Sequence, residues 1–140
     1  MTSSLPRKFA ALTALVLGVL MLLMGGGHLY AVIGDALAQD RPLDYRLVSL
    51  ITTGGLLVLP GIVGLVSLKW LWQGRSWAYG MCILSGSALM VYLILLLAIE
   101  ERDSTRVGSE LELAAAVVAI FLAVMAGTWL YLKIQARRSR

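Results

Sequence analysis

The stretch KWLWQGRSW, residues 69–77, decides the fold, because it joins two long apolar segments through a turn of only about four residues, 73–76. A connection this short places the two segments side by side and in opposite directions. Gly74 favours the end of one helix, and we expect Ser76 to cap the start of the next. The sequence therefore predicts a hairpin of two helices around this turn.

Tryptophans surround the same turn. Trp70, Trp72 and Trp77 flank it, and Trp129 and Tyr131 occupy the corresponding depth of the last apolar segment. Because Trp and Tyr concentrate at membrane–water interfaces, this placement predicts that the turn lies in the headgroup layer of a bilayer.

The chain has four apolar segments, two before this turn and two after it: residues 9–33, 47–72, 77–99 and 111–134. Each meets the requirement of about 20 mainly apolar residues to cross ~30 Å of hydrocarbon. The chain is 59% hydrophobic and 14% charged, which is too apolar for a soluble domain. Lipid offers no partner to open backbone groups, and four strands cannot close a barrel. The sequence predicts an all-α integral membrane protein, with one domain over residues 1–140 and four transmembrane helices in an antiparallel up-down bundle.

The charged residues are sorted along the chain. All eight carboxylates lie in or beside the first and third gaps between segments, and eight of the twelve Lys and Arg lie in the acid-free parts. The positive-inside rule therefore predicts a bacterial cytoplasmic (inner) membrane protein with the N-terminus and C-terminus in the cytoplasm. Topology and anionic lipid explain the basic residues, so we expect no nucleic-acid partner. The carboxylates are Asp35, Asp40, Asp44, Glu100, Glu101, Asp103, Glu110 and Glu112; the basic residues are Arg7, Lys8, Lys69, Arg75, Lys133, Arg137, Arg138 and Arg140.

The first apolar segment raises the question of a cleaved signal peptide. Ala36-Leu37-Ala38 has the form of a cleavage site, which leaves cleavage after Ala38 as the alternative. The apolar stretch is much longer than the ~7 to 15 residues of a signal core, so we expect the first span to be retained.

A candidate polar site centres on His28, the one histidine of the chain. It shares a helix face with Ala10, so its side chain is expected to point into protein rather than lipid. Thr52 and Thr53 are predicted to lie at similar depth and Tyr92 a little deeper, which would make a small polar pocket that opens outward. The alternative is a neutral imidazole that hydrogen-bonds a threonine hydroxyl or a backbone carbonyl.

Glu112 is the remaining candidate for this site. It shares a face of span four with Ala119 and Ala123 and could approach His28. The favoured interpretation is structural, because Ser109-Glu110-Leu111-Glu112 has the Ser-x-x-Glu form of a capping box.

Small residues recur at intervals of about four in two spans, a spacing that lets another helix approach closely. Two interpretations remain open: packing within one bundle, or contact of one stripe with a second subunit or a larger partner. The stripes are Ala10, Ala14 and Gly18 in span one, and Ala115, Ala119, Ala123 and Gly127 in span four.

Glycine and proline mark two further positions. The run Gly25-Gly26-Gly27 favours close packing over local unwinding, and Pro60 predicts a kink in span two. Cys82 is expected to be a small packing residue, and a single cysteine excludes a dithiol relay within one chain.

No phosphate-binding loop, nucleophile elbow, pair of catalytic carboxylates or cluster of metal ligands is present in the sequence. We therefore expect no enzyme activity, cofactor or metal. The first hypothesis is an accessory or interaction subunit that acts through helix–helix contacts, within the lipid bilayer, with a second copy or another membrane protein. The alternative is a small-solute or proton-coupled transporter with a site near His28.

Overall fold

The computed structural model describes residues 4–100 and 108–139, and this part of the chain is helical throughout apart from short connections. Four helices are long and apolar enough to cross a membrane: Leu5–Ala38, Tyr45–Val66, Ser76–Ile99 and Leu111–Arg138. They confirm the all-helical prediction with four apolar spans. The elements in chain order are α1 (Leu5–Ala38), α2 (Tyr45–Val66), α3 (Leu68–Trp72), α4 (Ser76–Glu100) and α5 (Gly108–Arg138).

The second predicted span, residues 47–72, is divided into two helices. The α2 helix continues through the buried Pro60 to Val66, and α3 begins after Ser67. Ser67 has a ψ of −5°, far from the α-helical value of about −42°, so the following peptide leaves the α-helical path there. The interruption between α2 and α3 thus lies at Ser67, and the kink at Pro60 stays a prediction.

The turn between α3 and α4 is closed by backbone hydrogen bonds. Gly74 adopts a φ of 74°, its N–H donates to Leu71 O at 3.0 Å, and the N–H of Arg75 donates to Trp70 O at 2.9 Å. This pair of bonds is a Schellman motif, which confirms Gly74 as the stop of a helix. The predicted cap by Ser76 is wrong: Ser76 is already the first residue of α4, and its Oγ accepts a hydrogen bond from Trp129 Nε1 at 2.9 Å.

Four long helices pack around one core. α1 packs along α2, α4 packs along α5, and contacts between α1 and α5 and between α2 and α4 complete the ring. Gly18 lies against Gly61, and Gly25 lies against Gly54, so residue numbers rise along α1 as they fall along α2. The glycines allow this closeness because no Cβ separates the two backbones.

Charges and tryptophans divide the bundle into two ends. The first turn of α1, the α3–α4 turn and the last turns of α5 form the basic end, where Trp70 and Trp77 have ring centroids 5.1 Å apart. The opposite end is the acidic end, and it also carries Arg41 and Arg46. The described carboxylate side chains, Asp35, Asp40, Asp44 and Glu112, all belong to the acidic end.

The buried core reaches from the basic end toward the acidic end. Tyr79 and Phe121 are among its largest fully buried side chains, and the Tyr79 hydroxyl donates to Leu71 O at 2.9 Å. In α1 the last buried residue is Gly25, and in α2 the first is Gly54. The α1–α2 pair is therefore less tightly covered at the acidic end, where two surface grooves lie.

Candidate functional site

His28 lies at the α1–α2 contact, and its hydrogen-bond partner is a backbone carbonyl. Nε2 of His28 donates to Leu50 O at 3.1 Å, an arrangement that requires the ring proton on Nε2. Gly54 makes room for the ring, because a Cβ at Gly54 would lie 3.1 Å from Cδ2 of His28. This geometry matches the structural alternative, in which a backbone carbonyl satisfies the imidazole.

The two threonines bond to their own helix. Thr52 Oγ1 donates to Val48 O, and Thr53 Oγ1 donates to Ser49 O, both at 2.8 Å. Such back-bonding to the preceding turn is a common way to satisfy hydroxyls in membrane helices. Neither threonine hydroxyl bonds to His28 in the described ranges.

Tyr92 links α4 to α2. Its hydroxyl lies 3.2 Å from Ser49 O and 3.2 Å from Thr53 Oγ1. The structure therefore brings Tyr92 and Thr53 together at the contact between α2 and α4, as the sequence predicted. His28 lies apart from them, at the contact between α1 and α2.

Glu112 lies on the exposed surface of α5 at the acidic end. Within residues 4–100 and 108–139, no hydrogen bond or ion pair joins Glu112 to His28. The capping box predicted for Ser109 and Glu112 depends on the Ser109 side chain, which lies outside the described residues.

Two open grooves occupy the acidic end. One, of about 310 Å³, lies between α1 and α2, and Leu50 and Asp35 are among its lining residues. The other, of about 280 Å³, lies between α2 and α4 and is bordered by Tyr45 and Tyr92. Both are open to the surface, unlike the enclosed pockets that hold most small-molecule ligands.

A polar chain crosses the rim of the first groove. Gln39 Nε2 donates to Asp35 Oδ1 at 2.6 Å, and Arg41 Nε donates to Gln39 Oε1 at 2.7 Å. Arg41 also pairs with Asp35 at 3.9 Å, but both side chains are more than half exposed, so the pair contributes little to stability.

The two small-residue stripes have opposite placements. Ala10, Ala14 and Gly18 of α1 are buried inside the bundle. In α5, Ala115 is half-buried, whereas Ala119, Ala123 and Gly127 are exposed. The same spacing thus serves packing within the bundle in α1 and leaves an outward face in α5.

Metal ligands and thiols are sparse. No group of three or more His, Cys, Asp or Glu residues in the described ranges is arranged to hold a metal ion. Cys82 is fully buried in α4.

Sequence reasoning missed Arg7. Its side chain folds over the α3–α4 turn, so that a Cβ at Gly74 would lie 2.7 Å from Cδ and 3.4 Å from Nη1 of Arg7. Its Nε is covered and has no hydrogen-bond partner in the described ranges. The signal in the sequence was the coincidence of a basic residue at the start of span one with a turn glycine at the same depth.

Four apolar helices, each long enough to cross a membrane, are typical of a multi-span integral membrane protein. Comparisons with protein-family models, with curated proteins and with solved structures find no match.

Proposed function

We propose that this protein is an interaction subunit of the bacterial cytoplasmic membrane, acting through helix–helix contacts made by the outward face of α5. The observation that carries the proposal is the exposure of Ala119, Ala123 and Gly127. These residues form part of the small-residue stripe, yet the bundle itself does not use them.

The proposed topology is an antiparallel up-down bundle with both termini in the cytoplasm. The separation of basic and acidic ends supports it, because Lys and Arg are retained on the cytoplasmic side. The tryptophans support a headgroup layer at the basic end: Lys133 Nζ lies 3.7 Å from the ring centroid of Trp129, as expected for residues at a membrane interface.

The α5 stripe has the form of a helix-docking face. From Ala115 to Gly127 it extends about 18 Å at 1.5 Å per residue, long enough for a full helix crossing. A Cβ at Gly127 would meet no atom within 4 Å, so the surface there is open. Lipid tails are as apolar as the helix, and association in lipid depends on close backbone approach, which small residues permit.

The partner that we propose is a second copy of this chain. A stripe of uniformly small residues is complementary to itself, so two α5 helices can cross about a twofold axis with the stripe on both sides. A helix of a different membrane protein is the competing partner.

The test compares Ala123→Leu with Ala88→Leu. Ala88 is an exposed alanine on α4, so the second variant adds the same bulk to a face without the stripe. Fluorescence energy transfer between labelled copies in bilayers measures self-association. We expect Ala123→Leu to weaken it at least tenfold, about 1.4 kcal/mol, and Ala88→Leu to leave it unchanged. Equal self-association of the two variants, or a wild-type protein that stays monomeric, would contradict self-association through this stripe.

The alternative function is a small-solute or proton-coupled transporter with its site at His28. One observation favours it: Leu50, which accepts the hydrogen bond of His28, also lines the groove that contains Asp35. His28→Ala should then abolish proton-coupled flux in proteoliposomes. Unchanged flux would remove His28 from any transport role.

A further inference from the structure

We propose that Arg7 forms part of a binding site for the phosphate group of an anionic phospholipid at the basic end of the bundle. Arg7 is half-buried against the α3–α4 turn, and its Nε is covered without a hydrogen-bond partner. A buried polar group left unsatisfied is uncommon. Because Nε is covered, an outside phosphate would meet the terminal Nη groups of the guanidinium.

No protein counter-charge for Arg7 is found in the described ranges. Among the described side chains, residues 4–99 and 111–139, the ion pair joins Arg41 to Asp35 at the acidic end. Arg7 also lies in the first turn of α1, where the helix dipole disfavours a cation. The guanidinium of Arg7 is therefore available to an anion supplied from outside the described chain.

Further positive charge lies beside Arg7 in the chain and in the turn that it covers. Gly74, with its φ of 74°, leaves the space that the Arg7 side chain fills. Arg75 follows Gly74 directly, and Lys8 follows Arg7, with its Nζ 5.7 Å from the ring centroid of Trp72. Arg7 as a whole is only half-buried, and a guanidinium fork matches phosphate oxygens in pairs.

The depth of Arg7 matches a lipid source for the phosphate. α1 has 34 residues, so Arg7 lies about 22 Å from its midpoint at 1.5 Å per residue. The headgroups of a bilayer about 40–45 Å thick lie at this distance from its centre. The neighbouring tryptophans also belong to the headgroup layer.

The experiment uses the native tryptophans as reporters. The full-length protein is reconstituted in phosphatidylcholine bilayers that contain increasing fractions of phosphatidylglycerol with brominated acyl chains, which quench nearby Trp fluorescence. The quenching curve gives the association of phosphatidylglycerol relative to phosphatidylcholine. Measurement at about 0.5 M salt shortens the Debye length to about 4 Å and suppresses diffuse attraction.

Arg7→Gln and Arg138→Gln form the matched pair, since each removes one positive charge and Arg138 is exposed on α5. We expect Arg7→Gln to lower the relative association of phosphatidylglycerol about fivefold and Arg138→Gln to change it less than twofold. Equal effects of the two variants would overturn the site.

Two further arms complete the test. If Arg7→Gln does not fold, Arg7→Lys replaces it, with Arg138→Lys as control; a loss of at least about twofold is expected for Arg7→Lys alone, because the fork is removed and the charge kept. Inorganic phosphate at millimolar concentration is added to the wild type. Displacement of phosphatidylglycerol by it would assign the site to a soluble anion and overturn the lipid source, whereas no displacement supports it.

Discussion

Gly25 of α1 lies against the backbone carbonyl oxygen of Gly54 in α2, so close that a Cβ at Gly25 would stand 2.9 Å from that oxygen. The same Cβ would lie 3.0 Å from the backbone N of Val58. Backbone atoms cannot move aside as the end of a flexible side chain can. The α1–α2 contact therefore depends on glycine at this position.

Gly25→Ala should destabilise the bundle by about 1 to 3 kcal/mol, the usual cost of overpacking. The matched control is Gly26→Ala, because a Cβ at Gly26 would meet nothing within 4 Å. Alanine there should be neutral or slightly stabilising, since it is the better helix former. Unfolding in mixed micelles with increasing SDS gives both values, and similar losses in the two variants would show that glycine is needed for the helix rather than for the contact.

The hydrogen bond from Trp129 Nε1 to Ser76 Oγ should hold α5 to the start of α4. We expect Trp129→Phe and Ser76→Ala each to lower the free energy of unfolding by about 0.5 to 1.5 kcal/mol. Because both remove the same bond, the double variant should lose less than the sum of the single losses. If the double variant instead loses the full sum of the two single losses, the hydrogen bond contributes nothing to the free energy of unfolding. Trp72→Phe, at a tryptophan that is 55% exposed, is the control for a change of indole to phenyl.

Tyr92→Phe removes the hydroxyl that contacts Ser49 and Thr53. A loss of about 1 kcal/mol is expected, since a partly buried hydrogen bond between α4 and α2 disappears while the ring stays. Tyr45→Phe provides the comparison, because Tyr45 is 85% exposed. Thermal unfolding followed by circular dichroism measures both variants, and an unchanged midpoint for Tyr92→Phe would mean that this bond is not a stabilising contact.

Cys82 should be inert toward thiol reagents in the folded protein, because its side chain is fully buried. Its maleimide labelling should be at least about a hundredfold slower than that of an Ala136→Cys variant in a Cys82→Ala background, since labelling of Cys82 requires opening of the bundle. Ala136 is exposed near the end of α5. Mass spectrometry after timed labelling gives both rates, and comparable rates would contradict the packing around α4.

The sequence by itself determined the four apolar helices and the stop at Gly74. Length and hydropathy are properties of a local segment, and the positive φ of a helix-ending glycine is a local requirement as well. The grouping of tryptophans at one end of the bundle also followed from their spacing. The polar site was predicted only in part. Tyr92 and Thr53 meet between α4 and α2, whereas His28 bonds to Leu50 between α1 and α2.

Only the tertiary structure decided which faces are covered. The stripes of α1 and α5 have the same spacing, yet the first is buried and the second is largely exposed. Within Gly25-Gly26-Gly27, a Cβ would meet another helix at Gly25 and no atom within 4 Å at Gly26 or Gly27. In a soluble protein the apolar face of a helix marks the core. In a membrane helix both faces are apolar, because lipid is as apolar as the protein core. The spacing of small residues therefore defines a helix face, but it does not say whether protein or lipid covers that face.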